Sequence, residues 1–529
     1  MRHADLLAGT ATTDLDHSRR AFGRYYTPPA VAARLAEDVA AAVDWNSGQT
    51  IRCIDPFCGD GRLVTEVLRN SHGRMPSPTR WQVWLYDLDP QATKDAGEAV
   101  SAVADELGLS CEIHSGVADA FSLLPESGGG FDIVVTNPPW EALKPDQREM
   151  GAMSDVDRQA YLQAMRGYDS MLATKLPWSQ PERKFSGWGT NLSRCGLELA
   201  LRLCRAGSGV CGIVLPASAM NDQSSARLRR WMFEHHDVHR IAHYPAEAKL
   251  FAGVDQPFVT VLARAESRRS EAVLDRYQTD GSLSDSSTIS LTSASLGGLG
   301  YRVPCDIPGR LMQLLMKWQD MPALGNLEGS DREALWMGRE LDETGYAQFT
   351  GPDGTVPFIK GRMIGRYATP RGSDLFITDA HARLPESVGH ARVTWRDVSR
   401  RSQRRRVQAT MIPADMVTGN SLHVAYFRDD DESRLLALLA LLNSMPVELQ
   451  VRSGLGTGHV SLGVVRSVKV PGLDDPVAIA ILASLARQAL DGDAHAITRI
   501  EATVAELYGL DSDATSDIER FFLDPYARG

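Results

Sequence analysis

Between Ile51 and Asn137 the chain alternates short apolar runs with stretches of helical period, and no other feature constrains its fold as much. Ile51 to Asp55, Trp81 to Tyr86 and Cys111 to His114 read as strands. Helices are expected from Arg62 to Asn70 and from Pro90 to about Leu107. A fourth apolar run, Phe131 to Val135, leads to Asn137. Strands that alternate with helices imply an α/β fold built on a mainly parallel sheet. Ligands of such sheets lie beyond the carboxyl ends of the strands, where the chain order reverses.

Those strand ends carry acids. Asp55 closes the first strand and opens Asp55-Pro56-Phe57-Cys58-Gly59-Asp60-Gly61, a turn into a helix. Glycines there let the backbone approach a ligand closely. Asp87 ends the second strand, where a carboxylate suits the two hydroxyls of a ribose, and Asp119 follows the third, in reach of an adenine amine. The plain alternative is three turn-capping aspartates. The fourth strand runs into Asn137-Pro138-Pro139-Trp140. Two prolines end the strand and stiffen the turn. The Asn137 side-chain oxygen and the Pro138 carbonyl can both accept from one exocyclic NH2 group, favouring a tetrahedral nitrogen able to attack a methyl group. Trp140 offers a ring for the base that carries the amine. The plain alternative is a structural Pro-Pro turn.

In these motifs the chain resembles the S-adenosylmethionine-dependent N6-adenine DNA methyltransferases of the gamma class, from restriction-modification or related phage-defence systems. The resemblance covers Tyr25-Tyr26-Thr27-Pro28, Asp55 to Gly61, Asp87, Asp119 and Asn137 to Trp140. It implies a Rossmann-like class I methyltransferase domain over residues 22–275, after an N-terminal extension, 1–21. A linker is expected over 276–300, a mixed α+β target-recognition domain over 301–470, and a helical C-terminal region over 471–529. Residue by residue, Tyr26, Thr27 and Pro28 would line the methionine end of the cofactor. Asp55, Pro56, Gly59 and Gly61 would hold the methionine moiety, Asp87 the ribose, and Asp119 with Ala120 the adenine. Asn137, Pro138, Pro139 and Trp140 would be catalytic. Two positions depart from the pattern. Trp140 replaces the usual tyrosine or phenylalanine, and Ala120 replaces a bulkier residue, which leaves Phe121 as a possible contact. The implied reaction is direct methyl displacement on a flipped-out adenine, without a metal.

The net charge of −11 has the wrong sign for a nucleic-acid binder. From Arg339 to Lys469, however, 18 Lys+Arg face 14 Asp+Glu, so any DNA affinity must be local. Arg392 to Arg406 holds seven arginines and one acid, and Gly361 to Tyr367 adds two more arginines. Arg362, Arg366, Arg396, Arg400, Arg401, Arg404, Arg405 and Arg406 are the expected DNA contacts, with a solvated basic face as the alternative. Seven cysteines without a Cys-x-x-Cys pair speak against zinc and fit a reducing cytosol. No membrane span or signal peptide is expected, and about 20 residues before the first motif leave little room for a nuclease. A separately encoded nuclease or other defence-system subunit is a candidate partner. The alternative functions are methylation of RNA or of a protein glutamine, and an inactive DNA-binding subunit.

Overall fold

A computed structural model describes residues 26–46, 48–76, 78–123, 129–146, 150–151, 153–182, 184, 187–251, 253–370, 372–378, 383–399, 403–455 and 459–523. The chain divides into two compact units between Gly309 and Arg310.

Among the described residues of the first unit, nine strands, numbered in chain order, form one sheet in the order β3-β2-β1-β4-β5-β7-β6-β8-β9. They are β1 (Thr50–Asp55), β2 (Arg80–Asp87), β3 (Ser110–Val117), β4 (Ile133–Thr136), β5 (Val210–Pro216), β6 (Asp237–Tyr244), β7 (Phe258–Arg264), β8 (Glu271–Tyr277) and β9 (Leu283–Ser290). β7 pairs antiparallel with β5 and β6, and β9 antiparallel with β8; the other pairings are parallel. The central strands have β-branched, buried cores: all of β4 and all of β5 are inaccessible to solvent. The order reverses between β1 and β4, and the carboxyl ends of that pair are where such a sheet opens a ligand crevice. This is the class I methyltransferase arrangement that the sequence predicts.

Four helices bear on the site. α1 (Pro29–Ala42) and α2 (Arg62–His72) pack on the sheet through buried Val, Leu and Ala side chains. Pro28 holds the cap position of α1 and Pro29 starts the helix. Between the Asn-Pro-Pro-Trp turn and Asn191 lies α3 (Asp155–Lys175). α4 (Leu192–Leu203) follows and is buried along almost its whole length.

The Ser/Thr-rich stretch, which reads as a linker or a surface hairpin, carries the second strand of an antiparallel hairpin at the sheet's edge. Residues of β8 and all of β9 lie within it, paired from Glu271↔Ser290 to Tyr277↔Leu283.

The second unit contains two four-stranded sheets. One is made of Leu335–Gly338, Leu422–Phe427, Arg392–Arg396 and Ala409–Ile412, in that order, and the other joins short strands between Thr350 and Thr418. Helices Glu432–Leu442 and Met445–Gly454 and three more from Pro476 to Leu523 complete it. The helical tail is part of this same compact unit. Trp318 is fully buried there, its indole N–H donating to the Tyr508 carbonyl at 3.1 Å. Among the described residues no single helix is long and apolar enough to cross a membrane.

Candidate active site

The turn after β1 is shaped by two glycines in the left-handed region, Gly59 at φ 50° and Gly61 at φ 75°. A Cβ on Gly61 would lie 2.9 Å from the Ala96 Cα, so only glycine lets α2 start so close to the next helix. A Cβ on Gly59 would meet the Tyr26 ring at 3.0 Å. Pro56 is buried within the turn. Arg62 ties this turn to the segment before α1, donating to the Thr27 carbonyl at 2.8 Å and pairing with Asp60 at 2.8 Å.

The three acids stand at successive strand ends. Asp55 is 1% exposed and accepts from the Thr136 hydroxyl at 2.7 Å and the Phe57 N–H at 3.1 Å. Burial pushes its carboxyl up to about 7, against the pull of both donors. Asp87 accepts from the Gly59 N–H at 3.1 Å and the Asp89 N–H at 3.0 Å, which fixes its carboxylate over the glycine turn. Asp119 accepts from the Phe121 N–H at 3.1 Å and from the Tyr168 hydroxyl at 3.2 Å. Ala120 and Phe121 are both buried, and the Phe121 ring packs 5.2 Å from that of Phe57.

Asn137 follows Thr136, so the Asp55–Thr136 hydrogen bond links the first acid to the Asn-Pro-Pro turn. Pro138 is buried against α4: a Cβ on Gly196 would lie 2.3 Å from the Pro138 Cβ. The Trp140 indole N–H donates to the Asn137 Oδ1 at 3.1 Å. An indole nitrogen only donates, so this bond sets which end of the Asn137 amide faces it. The Trp140 ring is held from one side by Phe251, 5.1 Å away and edge-on, and by Phe258 at 6.1 Å.

Residues 101–251 match the Eco57I restriction-modification methylase family. That span runs from within the helix before β3 to Phe251, and so includes Asp119, the Asn-Pro-Pro-Trp turn and α3. The release factor glutamine methyltransferase of Bifidobacterium longum (strain NCC 2705) is 30% identical over 108 residues, 19% of this chain and 34% of that protein. The match thus spans about a third of the curated relative's length. Among solved structures, the type IIL restriction-modification enzyme MmeI in complex with DNA is similar at TM-score 0.54 and 11% identity, over 99% of this chain and 78% of that one. The DrdV–DNA complex is similar at TM-score 0.53 and 10% identity, over 90% and 58%. At these identities the likeness is one of fold.

Four contributors escape a reading of the sequence: Tyr168, Gly196, Arg62 and Phe251. Tyr168, Gly196 and Phe251 lie far in sequence from the motifs they serve or in stretches without motif character, whereas Arg62 directly follows the glycine turn but nothing there announces its bond to Thr27. Only Gly196 leaves a trace, as a glycine in the middle of an amphipathic helix.

The arginines of the second unit are divided between surface and interior. Arg362 is exposed and pairs with Asp374 at 2.9 Å, and Arg404 is exposed. Arg366 and Arg405 both reach Glu501, at 2.8 and 2.7 Å, and Arg405 also lies over the Phe522 ring. Arg406 is 5% exposed, its guanidinium donates to the Ser399 hydroxyl at 2.9 Å, and its backbone N–H donates to Glu448 at 2.9 Å. Arg396 donates to the Ile364 carbonyl. Arg392 and Glu340 form an ion pair at 3.2 Å with neither side chain exposed. The arginines therefore do not form one solvated face: of those expected to contact DNA, Arg362 and Arg404 are exposed, while Arg366, Arg396 and Arg405 are partly and Arg406 fully buried. Glu501, remote in sequence, draws Arg366 and Arg405 inward, because a partly buried guanidinium needs a paired charge, whereas the buried Arg406 guanidinium is held by Ser399. Arg400 and Arg401 lie outside the described residues.

Proposed function

We propose that this chain is a site-specific DNA methyltransferase that transfers a methyl group from S-adenosylmethionine to N6 of adenine. The observation that carries the reading is the junction of β1 and β4, where Asp55 and Asn137 are coupled through Thr136 across the crevice of the sheet. The donor set fits the cofactor. Asp55 offers a buried carboxylate to an ammonium, Asp87 is an oriented acceptor for a ribose diol, and Asp119 is an acceptor for an adenine amine. The glycine turn between them is a cradle that a Cβ at Gly61 would fill.

S-adenosylmethionine, when bound, supplies an electrophilic methyl group. The chain's part is to hold the nucleophile. Asn137 Oδ1 and the Pro138 carbonyl accept the two N–H bonds of the exocyclic amine, which localises the nitrogen lone pair. Trp140 keeps the Asn137 amide turned with its oxygen toward the indole. Its ring, backed by Phe251, is the surface on which the flipped base stacks. Positioning of this kind supplies much of the rate in a displacement that needs no covalent enzyme intermediate. The second unit is the target-recognition module, with Arg362 and Arg404 as its candidate phosphate or base contacts. A restriction-modification setting, with a separately encoded nuclease or other subunit, is supported by the family match over 101–251.

A protein-glutamine methyltransferase is the second reading, favoured by the 108-residue similarity to the release factor enzyme. Tritiated cofactor offered with duplex DNA, RNA and protein lysate separates the two, followed by mass spectrometry of digested DNA. The expected product is N6-methyladenine, absent with Asn137→Ala although cofactor binding persists. N4-methylcytosine would reject the adenine assignment, and label in protein alone would favour the second reading.

A further inference from the structure

We propose that Tyr168, on the helix inserted after the Asn-Pro-Pro-Trp turn, positions Asp119 for the cofactor's adenine, so that α3 forms a wall of the adenine subsite. The inference rests on the reading of Asp119 as the adenine acceptor and deepens it.

The helix is built to lie on this site. Ser154 caps it, accepting from the Asp157 N–H at 3.2 Å. Its buried face is Tyr161, Met165 and Leu172. Tyr168 falls on that same face, three residues after Met165 and four before Leu172. About two turns further on, Lys175 donates to the Ser122 carbonyl at 3.3 Å. Two hydrogen bonds, Tyr168 to Asp119 and Lys175 to Ser122, therefore fasten α3 to the short turn Ala120–Ser122 that Asp119 caps.

The arrangement of the carboxylate is informative. Both donors, the Phe121 N–H and the Tyr168 hydroxyl, converge on Oδ1. Among the described residues Oδ2 receives no hydrogen bond, and it is not one of the sealed, unpartnered oxygens. Tyr168 thus fixes the rotamer with one oxygen satisfied and the other presented. It also preserves the acceptor. Burial raises the Asp119 carboxyl above its usual range, while the two donors and the nearby Lys175 oppose the rise. Burial raises the Tyr168 phenol as well, so it remains a donor. A charged Asp119 accepts from a 6-amino purine and repels a 6-oxo purine. Tyr168 should therefore govern discrimination between the two.

The test is calorimetric binding of S-adenosylhomocysteine and of its 6-oxo analogue, S-inosylhomocysteine, to the full chain. Wild type is expected to prefer the 6-amino ligand. Tyr168→Phe should weaken that ligand about tenfold, the scale of one hydrogen bond to a charged group, and leave the 6-oxo ligand nearly unchanged. Lys175→Met should reduce the preference less, and it carries the test if Tyr168→Phe does not fold. Equal weakening of both ligands would make α3 a structural support only, and an unchanged preference in both variants would overturn the proposal. If wild type binds neither ligand, it is the cofactor assignment that fails.

Discussion

Gly196→Ala probes whether α4 sets the position of Asn137. In most helix interiors this exchange is favourable, by ~1 kcal/mol. Here the new Cβ would lie 2.3 Å from the Pro138 Cβ, 2.7 Å from its Cγ and 3.7 Å from the Phe57 ring. Carbon atoms in good contact sit ~3.5 Å apart or more, so helix and turn must separate by about 1.2 Å. A proline ring cannot swing aside. Overpacking of this kind costs ~1–3 kcal/mol, which the helix propensity partly offsets. Net stability should fall by no more than ~2 kcal/mol. Displacement of the turn should cost far more in rate, since ~1 Å of misplacement can slow a reaction about 100-fold. The expected signature is a large loss of kcat for DNA methylation, a small change in Tm and nearly intact cofactor binding by calorimetry. A variant as active as wild type with a raised Tm would refute the idea that α4 sets the catalytic turn.

Three further outcomes follow from the same geometry. Trp140→Phe keeps a ring but removes the N–H to Asn137, so kcat should fall about tenfold at similar KM for duplex DNA, the scale of one hydrogen bond; equality with wild type would make that contact incidental. Burial lifts Asp55 from 3.8 to about 7. Its effect on folding is thus most favourable below pH 3.8 and is lost as the pH rises through about 7, whereas binding of an ammonium requires the charged form. Cofactor affinity should accordingly climb from pH 6 to 7 and then level, with proton release at pH 6 seen by calorimetry in buffers of different ionisation heat; a fall over that interval would contradict the assignment. Arg404→Ala should lower the slope of log DNA affinity against log salt by about one unit. Arg405→Ala should leave the slope alone and cost ~1–3 kcal/mol in denaturant unfolding through loss of its bond to Glu501; the reverse pattern would undo the distinction between outer and inner arginines.

The parts of the fold legible in the sequence were those governed by local pattern. β1 to β5 follow from apolar runs of strand length, and the positions of Asp55, Asp87, Asp119 and Asn137 follow from where those runs stop. α3 was not legible because its polar face dominates and Gly167 interrupts it. Only a few residues, Tyr161, Met165 and Leu172, mark its inner side. β9 was only half legible, because its serines, threonine and aspartate suit a surface hairpin as well as a linker. The arginine cluster shows a deeper limit. Charge density along the chain says nothing of direction, and the partners that turn Arg405 and Arg392 inward are Glu501 and Glu340, each roughly 50 to 100 residues away.

The edge strand has a practical meaning for anyone dissecting the chain. β9 carries Ser284, Asp285, Ser286, Ser287 and Thr288, a polar selvage that discourages a second sheet from zipping onto the first. Cutting at residue 275 would remove β9 and the end of β8. It would bare Ala272, Val273 and Leu274 as an open apolar margin. Such a piece would invite strand-to-strand self-association, whereas one carried through Gly309 keeps its own hem and should stay dispersed.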